Sequence, residues 1–471
     1  MMLGRAKKKI HSNLILLLVI APIVFNLGGC ASYQALPLND QSSLLTHLPA
    51  LNIDAKQLSL PELATHSFAS APDGLDMTDV AILAVLNNPD LKLARNDAHI
   101  AHAQAFSASL LPNPQLAMSG DFMRNPISGS TPAYGIGPTY DFGALLTHSA
   151  LRKAADADAS KTDLSLLWQE WQVIAQARML FIKLTQGQKL MHILQQQRDD
   201  FAQRSQRYQL ALQRGLITIE TATIALTSLQ DVQRQINEGQ RQQNQARHDL
   251  NALLGLAPDV PVPLQGSAQL PPLDRAQIAA TLPHLAQRRP DLIALKYGYA
   301  AQDQRYRAAI IAQFPSLVIG LTRSRDNSNV SSQGFNISVS LPIFNQNQGN
   351  IAIEQSTRQK LHDEYQQRIN VANSDIDRIL TEQTINTQQM REINSTLQQL
   401  SAQRKKVQGA LAAGNVDALV LSNIDTAWLA KQTEQVTLEQ AMLEQRVALQ
   451  TLIGGELPTR LPPELQESRK P

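Results

Sequence analysis

The 471-residue sequence predicts a mainly α chain that also carries a membrane β-barrel element, built from two copies of one half-domain. Three observations carry that prediction. They are an internal duplication, alternating apolar and polar segments of strand length, and two long proline-free heptad stretches. The duplication is read from short matches in constant order. Asn88-Pro89-Asp90-Leu91 returns as Arg289-Pro290-Asp291-Leu292, and Leu111-Pro112 as Phe314-Pro315. Phe142-Gly143 returns as Phe344-Asn345, Arg214-Gly215 as Ala413-Gly414, and Leu253-Leu254-Gly255 as Leu452-Ile453-Gly454. The offsets are 201, 203, 202, 199 and 199 residues. A solenoid would repeat every ~20–50 residues, so this is a duplicated half-domain with one shared task.

The chain opens on an address. Arg5, Lys7, Lys8 and Lys9 form a basic head. Leu14 to Phe25 is apolar but too short to cross a bilayer as a helix. Leu27-Gly28-Gly29-Cys30 then places small residues before the sole cysteine, which resembles a bacterial lipoprotein processing site. Residues 1–29 are therefore expected to be a signal peptide, with Cys30 left as a lipidated (palmitate-bearing) N-terminus. By the sorting rule of such lipoproteins, Ala31 rather than Asp after the cysteine favours the outer membrane. A single cysteine excludes an intrachain disulfide. The processed chain would keep 38 of the 42 basic residues against 40 acidic ones, a net charge of −2. Without a basic patch, nucleic acid is not an expected partner. Aromatics at 4% suit Ala/Leu/Ile helix seams better than an all-β domain or a conventional enzyme core.

The expected organisation is an N-terminal lipid-anchored extended segment at 30–74, a first repeat at 75–265, a second at 266–457, and a C-terminal tail at 458–471. Each repeat reads as a shorter helix, two strands, a very long helix, a glycine turn and another long helix. In the first, Pro112 and Pro114 stop the helix, since proline cannot continue the backbone ladder. Gln115 to Phe122 then reads as a strand with Leu116, Met118 and Phe122 on one face. Across a Gly/Ser/Pro loop at 124–133, Tyr134, Ile136, Pro138, Tyr140 and Phe142 alternate with Gly135, Gly137, Thr139 and Asp141. This strand is one residue out of phase with its counterpart when Phe142 is aligned with Phe344, which a bulge or a gap would absorb.

In the second repeat, residues 288–313 are helical in character and Pro315 ends them. Ser316 to Ser324 reads as a strand, 325–333 as a polar loop, and Phe335 to Ile343 as the clearest strand of all. There Phe335, Ile337, Val339, Leu341 and Ile343 alternate with Asn336, Ser338, Ser340 and Pro342. After Phe344 the period changes. Tyr365, Ile369, Ala372, Ile376, Ile379, Gln383, Asn386, Met390, Ile393, Leu397, Leu400, Arg404, Val407 and Leu411 step by fours and threes. A helix over 346–412 would be roughly 100 Å long, and 145–213 predicts another of similar length. Gly215 and Gly414 suit the helix ends and reversals.

Four amphipathic strands cannot sit in lipid alone, because an open sheet leaves edge amides unsatisfied. Copies must combine. Two would give eight strands, whose interior side chains fill, and three would give twelve with room for a lumen.

Taken with the lipobox and the duplication, this layout resembles the outer-membrane efflux proteins, the TolC-like factors of tripartite pumps, over about residues 75–455. The markers are the paired Pro-Asp-Leu motifs at 89–91 and 290–292, Leu341-Pro342-Ile343-Phe344, Arg214-Gly215-Leu216 and Leu253-Leu254-Gly255. The resemblance implies a homotrimer closed as an α/β-barrel channel across outer membrane and periplasm, without cofactor and not an enzyme. It implies as partners a periplasmic adaptor protein and an inner-membrane transporter, of resistance-nodulation-division type, besides the outer-membrane lipid. Gly215, Leu216, Ile217 and Thr218, with Gly414, Asn415, Val416 and Asp417, would be the adaptor-docking tips. Many relatives carry a pore-narrowing carboxylate about nine residues beyond the second tip glycine. Here that position is Asn423, so Asp425, Asp417 and Glu220 become alternative constriction residues. Pro342 to Gly349 looks like relatives that serve heavy-metal pumps, which favours metal cations over drugs as cargo. A type I protein-secretion conduit would share the architecture. A structural coiled-coil lipoprotein would explain the heptads but not the strands. No phosphate loop, G-x-S-x-G elbow or metal-binding helix supports an enzyme.

Overall fold

The computed structural model describes residues 32–49, 74–124, 128–268, 270 and 274–454. The expected signal peptide, Cys30 and the expected C-terminal tail lie outside them, as does most of the 30–74 segment. Two units are distinguished, one ending at Leu44 and one beginning at Leu45. In the first, residues 32–44 are exposed and form neither helix nor strand.

Among the described residues, the regular elements all belong to the second unit. They run α1 Met77–Asn87, α2 Pro89–Ser109, β1 Gln115–Asp121, β2 Ala133–Asp141, α3 Phe142–Gln213 and α4 Ile219–Leu253. The second repeat follows with the short α5 Arg275–Thr281 and α6 Leu285–Arg288, then α7 Pro290–Ile311, β3 Leu317–Arg325, β4 Ser331–Val339, α8 Gln348–Ala412 and α9 Ala418–Ile453. The order helix, two strands, very long helix, long helix therefore occurs twice. At 72 residues α3 is roughly 110 Å long, and α8 at 65 residues roughly 100 Å.

The repeated Pro-Asp-Leu motif starts α2 and α7 with proline in the first turn, where its missing N–H costs nothing. The preceding residue differs in its work. Asn88 caps α2 by accepting from the Leu91 amide at 2.9 Å, and donates to the Leu253 carbonyl at 3.0 Å. Arg289 offers no cap. It forks onto Asp291 at 3.0 and 2.7 Å and lies over the Trp168 ring at 5.0 Å.

The four strands form one antiparallel sheet in the order β1-β2-β3-β4. All four helix connections leave from one end, and both hairpin loops lie at the other. β2 and β3 keep one register from Tyr134↔Arg325 to Asp141↔Val318, interrupted only at Gly137 and Pro138. There a side chain on Gly137 would strike the Leu321 carbonyl, so only glycine permits this approach. No bulge is present, and the phase difference is absorbed elsewhere. Asp141 caps α3 directly, accepting from the Gly143 and Ala144 amides, so β2 runs straight into its helix. β4 instead ends at Val339, and residues 340–347 connect it to α8.

That connector corrects the expected strand at Phe335 to Ile343, which in fact runs from Ser331 to Val339. Its bounds follow from the turn before it. The Asp326 carboxylate accepts from the Ser328 and Val330 amides, both at 2.9 Å, and closes a tight hairpin that draws Ser331 to Gln333 into pairing. At the far end Ser340 still donates to the Ser316 carbonyl at 3.1 Å, but Pro342 has no N–H to continue. Asn347, in the left-handed conformation at φ 59°, then starts α8 and donates to the Ala309 carbonyl at 2.8 Å.

The core follows α3. Leu166, Trp171, Ile174 and Phe181 pack with α1, α2 and the end of α4. Leu194 and Phe201 meet Val232 and Ile236 of α4 and Leu429 of α9. A separate cluster joins Leu292, Ile376, Ile379 and Leu449 across α7, α8 and α9. Every residue of the predicted α8 seam is buried or half-buried. Its polar breaks have partners: Gln383 donates to the Met442 carbonyl and to Gln445 Oε1, each at 2.8 Å, and Asn386 donates to Gln445 at 3.0 Å.

Candidate functional site: sheet, helix tips and a buried carboxylate

Pairing register sorts the sheet into two faces. Leu116, Met118, Tyr134, Ile136, Pro138, Tyr140, Leu317, Ile319, Leu321, Phe335, Ile337 and Val339 share one face. Gln115, Ser119, Gly135, Thr139, Gly320, Thr322, Gly334, Asn336 and Ser338 share the other. The apolar face is not covered within the chain: Met118 is 70% exposed and Phe335 73%. Leu111, Phe314, Leu341, Ile343 and Phe344 extend exposed apolar surface beyond the sheet at its helical end. β1 and β4 are both edges, with unpaired backbone groups on their outer sides. An apolar face and two free edges define a piece of a larger closed sheet. No described helix is long and apolar enough to cross a membrane.

At the other end of the long helices lie the two glycine tips, built alike. Gly215 has φ +66° and Gly414 φ +73°. The Gly215 N–H donates to the Leu212 carbonyl and the Leu216 N–H to that of Ala211. The Gly414 and Asn415 amides donate in the same pattern to Leu411 and Ala410. This double bond is a Schellman cap, whose left-handed residue favours glycine. Thr218 and Asp417 then cap the returning helices, accepting from the Thr221 amide at 3.3 Å and the Leu419 amide at 3.0 Å. Leu216 is 71% exposed, Ile217 and Val416 are half-buried, and Thr218, Asn415 and Asp417 are exposed.

The four constriction candidates separate. Asn423, Asp417 and Glu220 are exposed. Asp425 is fully buried and already held by two arginines. It accepts from Arg204 of α3, and from Arg404 Nε of α8 at 2.6 Å. The Arg404 guanidinium lies 4.7 Å from the Trp428 ring and 3.5 Å from Asp200. Nearby, burial pushes the Tyr208 hydroxyl above its ordinary pKa, opposed by Arg204. The carboxylate thus ties both long helices to α9, about 12 Å along that helix from its cap. Sequence reasoning missed Arg204 and Arg404 as partners. A charged residue at a seam position was the available signal for Arg404, and Arg204 had none.

Among the described residues no cluster of His, Cys, Asp or Glu could hold a metal ion. Among the described residues the one strongly shifted carboxyl is Glu170, on α3. Burial raises its pKa to about 7 despite Arg95 at 3.5 Å.

Fold and surfaces are those of outer-membrane efflux channels, and comparisons with known proteins find the same likeness. Residues 281–455 match the outer membrane efflux protein family. The chain is 24% identical, over 92% of its length and 97% of the relative's, to the probable outer membrane lipoprotein SilC of Salmonella typhimurium. The fold is shared with CusC (TM-score 0.68, 19% identity, 86% of this chain and 99% of that one). It is shared equally with the Campylobacter jejuni outer membrane channel CmeC (TM-score 0.68, 16% identity, 91% and 98%). These findings bear out the resemblance to TolC-like outer-membrane efflux proteins; SilC is itself a probable outer membrane lipoprotein and CmeC an outer membrane channel. Such relatives are channels and not enzymes.

Proposed function

We propose that three copies of this chain form the outer-membrane conduit of a tripartite efflux pump. One observation carries the reading: a four-stranded sheet with an uncovered apolar face and two free edges, from one end of which all the long helices depart. Three copies pairing β4 of one to β1 of the next make a twelve-stranded closed barrel with a polar interior. The helices continue the barrel through the periplasm, with the 75–265 and 266–457 repeats each supplying two strands and a helical hairpin. Cys30 carries the lipid anchor. The tips at 215–218 and 414–417 meet the adaptor, which couples the channel to a resistance-nodulation-division transporter that supplies the energy. Three exposed acids or amides, Asp417, Glu220 and Asn423, face constriction roles, while Asp425 acts through its arginine partners.

Metal cations are the proposed cargo. The sequence from Pro342 to Gly349 and the likeness to SilC and CusC support it. Asn345 and Asn347 have a structural task in the junction, so the support lies in the likeness and not in a ligand set. The test of the conduit is heat-labile trimer migration in detergent together with acyl labelling lost in Cys30→Ser. A monomeric mature protein would overturn the reading. For cargo, deletion should sensitise cells to heavy-metal cations and leave drug tolerance unchanged; the reverse pattern would assign drugs.

A further inference from the structure

The apolar face of the sheet changes character toward its hairpin end. On β3 the apolar residues Leu317, Ile319 and Leu321 are followed, on the same face, by Arg323 and Arg325. Two residues apart on one strand, their Cα atoms are about 7 Å apart. Their cross-strand partners are Ile136 and Gln333 for Arg323, and Tyr134 and Ser331 for Arg325. None of these is acidic. Arg323 is exposed, and the Arg325 Nε is buried without a hydrogen-bond partner. Neither guanidinium has an ion-pair partner among the described residues. The neighbouring carboxylates are engaged or turned away: Asp326 holds the hairpin amides, and Asp121 belongs by register to the polar face. Arg124, exposed and three residues beyond β1, adds a third cation at the same end.

We propose that Arg323 and Arg325 form an outward-facing site for the phosphate groups of the outer-leaflet glycolipid, lipid A. The proposal rests on the outer-membrane barrel reading, since it is that reading which places the hairpin end at the outer surface and the apolar face in lipid. Cations directly beyond an apolar band lie at the level of the lipid headgroups, where their desolvation is offset by an anion. Guanidinium groups suit phosphate because each presents paired donors in a fixed fork. β3 is an inner strand, so barrel closure at β1 and β4 leaves the pair uncovered. The site would fix the depth and rotation of the barrel within an asymmetric membrane.

The test uses purified full-length trimers in phosphatidylcholine bilayers doped with bis-phosphorylated lipid A, with retained lipid counted by native mass spectrometry. Wild type should retain lipid A, and R323A/R325A should retain at least ~10-fold less. R323K/R325K, which keeps charge but not the fork, should fall between them. Dephosphorylated lipid A and phosphatidylglycerol should be retained no better by wild type than by R323A/R325A. Equal retention of lipid A by R323A/R325A, or wild-type retention of dephosphorylated lipid A or phosphatidylglycerol equal to that of lipid A, would overturn the proposal. Trimer migration and channel conductance are read on the same samples. A wild type that neither trimerises nor conducts sinks the barrel reading and this site with it. Conducting trimers that bind alike sink only the site.

Discussion

The helices α3 and α8 hold the same place in the two repeats but have different surroundings. α3 buries 21 of its 72 residues, among them Trp171, Phe181 and even Glu170, because α1, α2, α4, α7 and α9 all pack on it. α8 buries five of 65 and packs mainly on α7 and α9, touched besides by Arg275 of α5 and Asp200 of α3. Its other sides are polar, with Val371 and Ile385 standing half-exposed. Duplication therefore copied the elements but not their environment. The first long helix is completed by its own chain. The second is a flank that a neighbouring copy would cover, as the free edge of β4 would be covered by the next β1.

Core truncation gives the largest expected contrast. Trp171→Ala in α3 should cost about 3–5 kcal/mol, by lost burial and the cavity left behind. Ile385→Ala in α8 should change the stability of the isolated chain by no more than ~0.5 kcal/mol, yet weaken trimer retention in detergent. Urea midpoints of the monomer, read beside trimer migration, decide it. Similar midpoint shifts for the two would remove the distinction between a completed and an open helix.

The next effect concerns the point where the two helices are tied together. Asp425→Ala removes the carboxylate that Arg204 and Arg404 share, leaving Arg404 only the more exposed Asp200, and should cost about 3 kcal/mol. Arg404→Gln frees only α8 and should cost less, since Arg204 still pairs with the carboxylate. If Arg404→Gln matched Asp425→Ala in unfolding midpoint, the carboxylate would not be shared between the helices.

Glu170 sharpens the comparison through pH. Its pKa is raised from 4.5 to about 7, first by burial, with Arg95 opposing. The folded protein thus holds a proton that the unfolded chain releases. Stability is fully present below pH 4.5 and falls as pH rises towards 7. Glu170→Gln should therefore stabilise the chain by on the order of 3 kcal/mol at pH 8, with the gain vanishing near pH 4. A pH-independent difference between the two proteins would show that burial does not hold the proton. Substituting the exposed α8 acid Asp363 by Asn should show no such gain.

Much of this was legible in the sequence, for definite reasons. Proline-free heptads fix long helices because few other structures tolerate the period, and each residue of the α8 seam turned inward. Alternation revealed four strands. It misplaced β4 by four residues because apolar alternation continues through Leu341 and Ile343, where exposed apolar surface persists after pairing stops. Hydrogen bonding, set by the Asp326 hairpin, is invisible to a hydropathy pattern. The Asp425 cluster was illegible for another reason. Its members are separated by 221 and 21 residues, and such pairing follows from helix packing and not from spacing.

The smallest effect tests where the two repeats should still be equal. Gly215 and Gly414 share the left-handed cap, and neither has an atom within 4 Å of an added Cβ. Strain is therefore the only cost of alanine, about 1 kcal/mol at each tip. Because the surroundings are open, the same cost should appear in both, unlike anything measured on α3 and α8. Proline goes further. It cannot adopt the left-handed φ, and it deletes the N–H that each glycine donates to Leu212 or Leu411. Gly215→Pro and Gly414→Pro should each leave trimer migration intact, because the sheet is distant, while reducing adaptor capture by cross-linking. Normal cross-linking in both would remove the tips from the docking surface. Loss in one alone would show that partner choice lies where the repeats differ, in Leu216-Ile217-Thr218 against Asn415-Val416-Asp417.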